Sequence, residues 1–79
     1  MNTEHGRQQF GTPASVFAQD TLWRAYMDDG LAAHEAGRYA EAEKLLQFAV
    51  AEAEKFGPSD LRLAISFNNL AIHYGEQGK

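Results

Sequence analysis

The sequence predicts an all-α chain, an antiparallel helix hairpin followed by a third helix. Three observations lead there. Apolar residues recur at spacings of three and four over three separate stretches, and no segment alternates at period two. Gly37 and the Gly57-Pro58 pair fall where two of these stretches must end. The last part of the chain repeats an earlier part at a fixed distance.

Taken in order, residues 1–12 show neither helical nor strand periodicity and are expected to be a flexible leader. Thr12-Pro13 suits a helix start: threonine can cap, and proline at the first helical position loses no needed N–H. The first helix is expected from about Pro13 to Ala36, with Asp20 an alternative cap. Its core stripe is Trp23, Tyr26, Gly30 and Ala33, and a neighbouring stripe carries Arg24, Met27, Asp28, Leu31 and His34. Trp23 and Tyr26 at this spacing are read as core, not as a ligand box. Gly37 ends the helix. The second runs from about Tyr39 to Phe56, with Tyr39, Ala42, Leu45, Leu46, Ala49, Val50 and Ala53 on one face. Ser59 or Asp60 caps the third, whose apolar face is Leu63, Phe67, Leu70, Ala71 and Tyr74. The organisation is a leader (1–12), a hairpin (13–57) and a third helix (58–79).

Composition removes several functions. The chain has 79 residues and no cysteine, so it forms one small domain at most and has no thiol or disulfide chemistry. Its net charge of -4 comes from 11 acidic and 7 basic residues without a Lys/Arg cluster, which disfavours nucleic acid. No stretch approaches the roughly 20 apolar residues that span a bilayer, and residues 1–10 do not read as a secretory signal. Membrane attachment is therefore not expected, and the cytoplasm is the default location. Ser15, Ser59 and Ser66 lack a base and an orienting acid. His5, His34 and His73 form no metal signature. No enzyme activity, cofactor or metal is expected.

The internal match gives the fold its meaning. Glu35-Ala36-Gly37-Arg38 is echoed by Glu76-Gln77-Gly78-Lys79 at an offset of 41 residues. The same offset lays Leu22 on Leu63, Tyr26 on Phe67 and Gly30 on Ala71. Such a period describes a repeated helix–turn–helix unit in which small residues let helices approach closely and aromatics fill the gaps.

At the level of motif, Gly37-Arg38-Tyr39-Ala40-Glu41-Ala42-Glu43 resembles the turn and second-helix start of a tetratricopeptide repeat. Phe67 to Lys79 resembles the first helix and turn of the next. The Gly57-Pro58-Ser59-Asp60 connection and Asn68-Asn69-Leu70-Ala71 are similar to the longer variant found in kinesin light chains and many bacterial repeat proteins. Asp29 and Ala33 depart from the family's usual leucine and tyrosine, as a terminal unit would. The resemblance covers residues 22–79, about one and a half repeats of an α-solenoid, and it implies a protein-interaction module.

By that resemblance, a concave groove lined by the first helix of each repeat carries Arg24, Met27, Asp28, Leu31 and His34, then Ile65, Asn68, Asn69, Ile72 and Glu76. Asn69 stands where the family often holds a ligand-binding asparagine, and its amide can grip a peptide backbone. Met27 and Leu31 stand where the family's carboxylate clamp needs lysine and asparagine, so that clamp is not expected. The second repeat stops at its turn, which leaves Phe67, Leu70, Ile72 and Tyr74 without a covering helix. Exposing even two such side chains forgoes roughly 3–6 kcal/mol. Homo-association is the expected remedy, face to face or by helix exchange at Gly57-Pro58. Two other roles stay open: a regulatory segment of a longer effector or enzyme, and a structural self-assembly element.

Overall fold

The computed structural model describes the backbone of residues 3–78 and the side chains of residues 16–78. It consists of three helices: α1 (Thr3–Glu35), α2 (Tyr39–Glu54) and α3 (Leu61–Glu76). Among the described residues there is no strand. The all-α hairpin with a third helix is the architecture the sequence predicts.

One boundary differs. The backbone is already helical at Thr3, so α1 does not begin at Thr12-Pro13, and Asp20 lies inside the helix instead of capping it. A proline in a helix forfeits one ladder bond, and the backbone is nonetheless helical on both sides of Pro13. The side chains of the expected leader, and of Thr12 and Pro13, lie outside the described residues.

The turns follow from the glycines. Gly37 adopts φ +83°, the Arg38 N–H donates to the Ala33 carbonyl, and the Gly37 N–H donates to the His34 carbonyl. These two bonds close the α1 terminus and turn the chain back onto α2. Gly78 repeats the arrangement 41 residues later, with φ +76° and its N–H donating to the Gly75 carbonyl. The internal match is thus a match of backbone conformation. At the start of α3 the Asp60 carboxylate accepts from the Arg62 N–H at 2.9 Å, which decides between Ser59 and Asp60 as the cap.

The core sits between α1 and α2. Ala33, Ala42, Leu46, Ala49 and Ala53 are fully buried, with Trp23 and Met27 nearly so. Tyr26, Phe56, Leu63 and Leu70 pack around them. Gly30 and the alanines allow the approach, since a Cβ on Gly30 would lie 2.8 Å from Leu46 Cδ2. Tyr39, expected on the inner face of α2, is 47% exposed at its end. Ala71, the counterpart of Gly30, is exposed, because nothing among the described residues packs over that side of α3.

Candidate peptide-binding groove

Side-chain bonds between α1 and α3 hold the two leading helices side by side. At one end Arg62 bridges the pair: its Nη1 donates to Asp20 at 2.9 Å, and its Nε and Nη2 each donate to Asp60 at 2.9 Å. The guanidinium also lies 3.5 Å from the centre of the Phe56 ring. Hydrogen bonds from the Arg62 guanidinium and backbone N–H hold the Asp60 carboxyl down at about 2. Bonds from Arg24 and then Arg62 lower the Asp20 carboxyl, while the carboxylates raise Arg62 in return. The bonds from Arg62 to Asp20 and Asp60 are charge-assisted contacts of α1 and the α2–α3 turn with one α3 side chain.

Midway, the Trp23 indole N–H donates to Ser66 Oγ at 2.7 Å, and the Ser66 hydroxyl donates to the Arg62 carbonyl at 2.7 Å. A buried indole needs such an acceptor, which is the role of a serine that sequence reasoning considered only as a nucleophile.

At the far end His73, 1% exposed, meets His34 with their Nδ1 atoms 2.9 Å apart. His34 Nε2 contacts Glu76 Oε1, and Gln77 contacts the other face of His73. One arrangement of protons satisfies this chain of groups. Gln77 donates to His73 Nε2, His73 Nδ1–H donates to His34 Nδ1, and His34 Nε2–H donates to the carboxylate. Tyr74 and Gln47 tie the same end of α3 to α2, through Tyr74 Oη–H to Glu43 and Gln47 Nε2–H to Tyr74. His73 was expected to be solvated or packed, and it is packed. Its pairing with His34 was not foreseen.

Between α1 and α3 lies a cleft of about 30 Å³ lined by Leu31, His34, Leu46, Asn69, Ile72 and His73. Four of the residues expected to face a groove therefore come together: Leu31 and Ile72 as exposed apolar walls, Asn69 at the edge, and His34 on the floor. Arg24 and Ile65 line a second depression further along the seam, with Asp20, Trp23, Asp60, Leu61 and Arg62. Asp28 and Asn68 are exposed on the two helices. Met27 is a correction. At 6% exposed it belongs to the core, in one cluster with Trp23, Leu46, Ala49 and Ala53, against which Leu63 and Leu70 of α3 also pack.

The set expected on the uncovered face also divides. Phe67 is 51% exposed and lines a depression with Pro58, Leu61, Leu63 and Ala64. Leu70 and Tyr74 are half-buried against α2. Ile72 is rotated by roughly 140° from Phe67 at 3.6 residues per turn and belongs to the groove.

Among the described residues no group of three or more His, Cys, Asp or Glu stands where it could hold a metal ion. No described helix is long and apolar enough to cross a membrane.

A helix hairpin, a matching turn one repeat later, and leading helices laid side by side define a helical-repeat protein of the α-solenoid class. The tetratricopeptide repeat family model matches residues 24–79, and the chain belongs to that family. No curated protein and no solved structure matches it. Repeats of this family generally mediate protein–protein interaction.

Proposed function

We propose that the chain binds a peptide or helix of a partner protein in the groove between α1 and α3, with no catalytic step. The observation that carries this is the cleft between Leu31 and Ile72, apolar walls that stay 40% and 49% exposed, with Leu46, His34, Asn69 and His73 completing the lining. Asn68 and Asn69 sit beside it, and neither side-chain amide is hydrogen-bonded among the described residues. Each can therefore pair with the backbone of an incoming segment. The cleft volume suits one small aliphatic group, which fixes register while the amides supply most of the polar contact.

The test is selection of peptides from a random displayed library on the intact chain, followed by titration of the winners against Leu31→Glu and Ile72→Glu. Both positions are exposed, so the variants keep the fold, checked by far-UV circular dichroism. Loss of binding supports the groove. Winners that bind both variants as tightly as the parent sink it.

Phe67 supports a second reading, self-association through the other side of α3. A half-exposed phenylalanine beside Leu63 and Ala64 is an anchor of the kind that interfaces bury. Sedimentation equilibrium over a wide concentration range, with Phe67→Glu alongside, decides it. A monomer mass at every concentration of the parent chain removes this reading.

A further inference from the structure

From the charges around the cleft we infer that the groove's partner is a cationic segment, with a small aliphatic residue between two basic ones. The inference rests on the groove reading above and adds the chemistry of the occupant.

The cations of the seam are already in use. Arg24 is held by Asp20 at 2.8 Å, and Arg62 by Asp20 and Asp60 at 2.9 Å. The anions are in surplus. Asp28 and Glu35 are exposed on α1 and make no ion pair among the described residues. Glu76 on α3 contacts only an imidazole and keeps 61% of its side chain exposed. Asp28, Leu31 and Glu35 fall on one stripe of α1 at spacings of three and four, and Ile65, Asn69, Ile72 and Glu76 fall likewise on α3. The apolar cleft is therefore flanked by carboxylates on both helices, with no free cation beside it among the described residues.

Such a potential steers positive segments and rejects acidic ones, since like charges placed against each other across an interface are penalised. Geometry sets the spacing. Seven residues of helix separate Asp28 from Glu35, about 10 Å of rise. A polyproline II segment has three residues per turn and a rise of about 3.1 Å, so positions i and i+3 lie on one side about 9 Å apart. Basic residues at those positions can thus face the two carboxylates while an aliphatic residue between them, turned to the side, enters the cleft between Leu31 and Ile72.

The probe is a capped hexapeptide, Gly-Lys-Val-Ala-Lys-Gly, titrated into the 15N-labelled full chain, with an isomer carrying glutamate in place of both lysines. The expected result is shifts of the Leu31, Asn69 and Ile72 amides with the lysine peptide alone. The double variant Asp28→Lys/Glu35→Lys should weaken binding by roughly fivefold to twentyfold at low salt, from two exposed pairs reversed, and added salt should weaken the parent in the same direction. Neither side chain makes a contact that the fold needs, so the variant remains folded. Equal shifts from the glutamate peptide, no shift from the lysine peptide, or unchanged affinity of the double variant would overturn the inference. Neutral or acidic library winners that still depend on Leu31 and Ile72 would refute the charge preference while leaving the groove intact. Winners independent of those residues would refute both.

Discussion

Gly30 offers the sharpest test of how the hairpin packs. An alanine there would ordinarily stabilise a helix by about 1 kcal/mol, since glycine has the larger backbone entropy to lose. Here the new Cβ would sit 2.8 Å from Leu46 Cδ2, 2.9 Å from Leu46 Cγ and 3.4 Å from Leu45 Cβ. Swinging the Leu46 methyl away does not suffice, because its branch carbon is just as close and the side chain is fully buried. Overpacking of this kind costs roughly 1–3 kcal/mol. The clash therefore outweighs the propensity gain, and Gly30→Ala should destabilise by about 1 kcal/mol net. In a Leu46→Ala background the obstacle is gone, and the same change should stabilise by about 1 kcal/mol. Urea unfolding followed by circular dichroism and Trp23 fluorescence measures both arms. A constant concentration of a stabilising osmolyte keeps the Leu46→Ala chain folded. If Gly30→Ala stabilises equally in both backgrounds, the close approach of α1 to α2 at this point is wrong.

Other perturbations have defined outcomes. Ser66→Ala strands the Trp23 indole N–H in a nearly closed environment and should cost roughly 1–3 kcal/mol, read from the urea midpoint together with a shift in tryptophan emission. Asp60 titrates at about 2 when folded against about 3.9 in an unfolded chain. Its folded pKa is depressed, so its contribution is fully present above the unfolded value and is lost as pH falls from about 4 towards 2. Asp60→Asn, which keeps the cap, should flatten the acid limb of the stability profile in that window, and an unaltered limb would count against the Arg62 bridge. Arg62→Lys loses the planar stack on Phe56 and the fork to two carboxylates. It should lower the thermal midpoint and raise amide exchange in α3 more than in α1 or α2.

Much of the fold was legible because it is written in local terms. Gly37 and Gly78 take the left-handed turn that a side chain resists, so a match of short motifs announced a match of backbone. Ala42, Ala49 and Ala53 on one face of α2 announced a close helix pair. The groove was half legible. Leu31, Asn69 and Ile72, expected to face a groove, line the cleft between α1 and α3, whereas Met27 is buried, because a 3.6-residue period gives a residue's direction and not the number of helices that cover it.

The sequence by itself determined three helices, the turns between them and the 41-residue period, since those depend on φ preferences and on the spacing of apolar residues along one chain. Tertiary structure alone decided which residues meet across helices. Residues that match in the repeat are 41 apart, whereas those that touch are Asp20 with Arg62, Trp23 with Ser66 and His34 with His73, at separations of 42, 43 and 39. Neighbouring leading helices pack at an angle and with a stagger, so equivalent positions do not lie opposite each other, and no period read along the chain contains that offset.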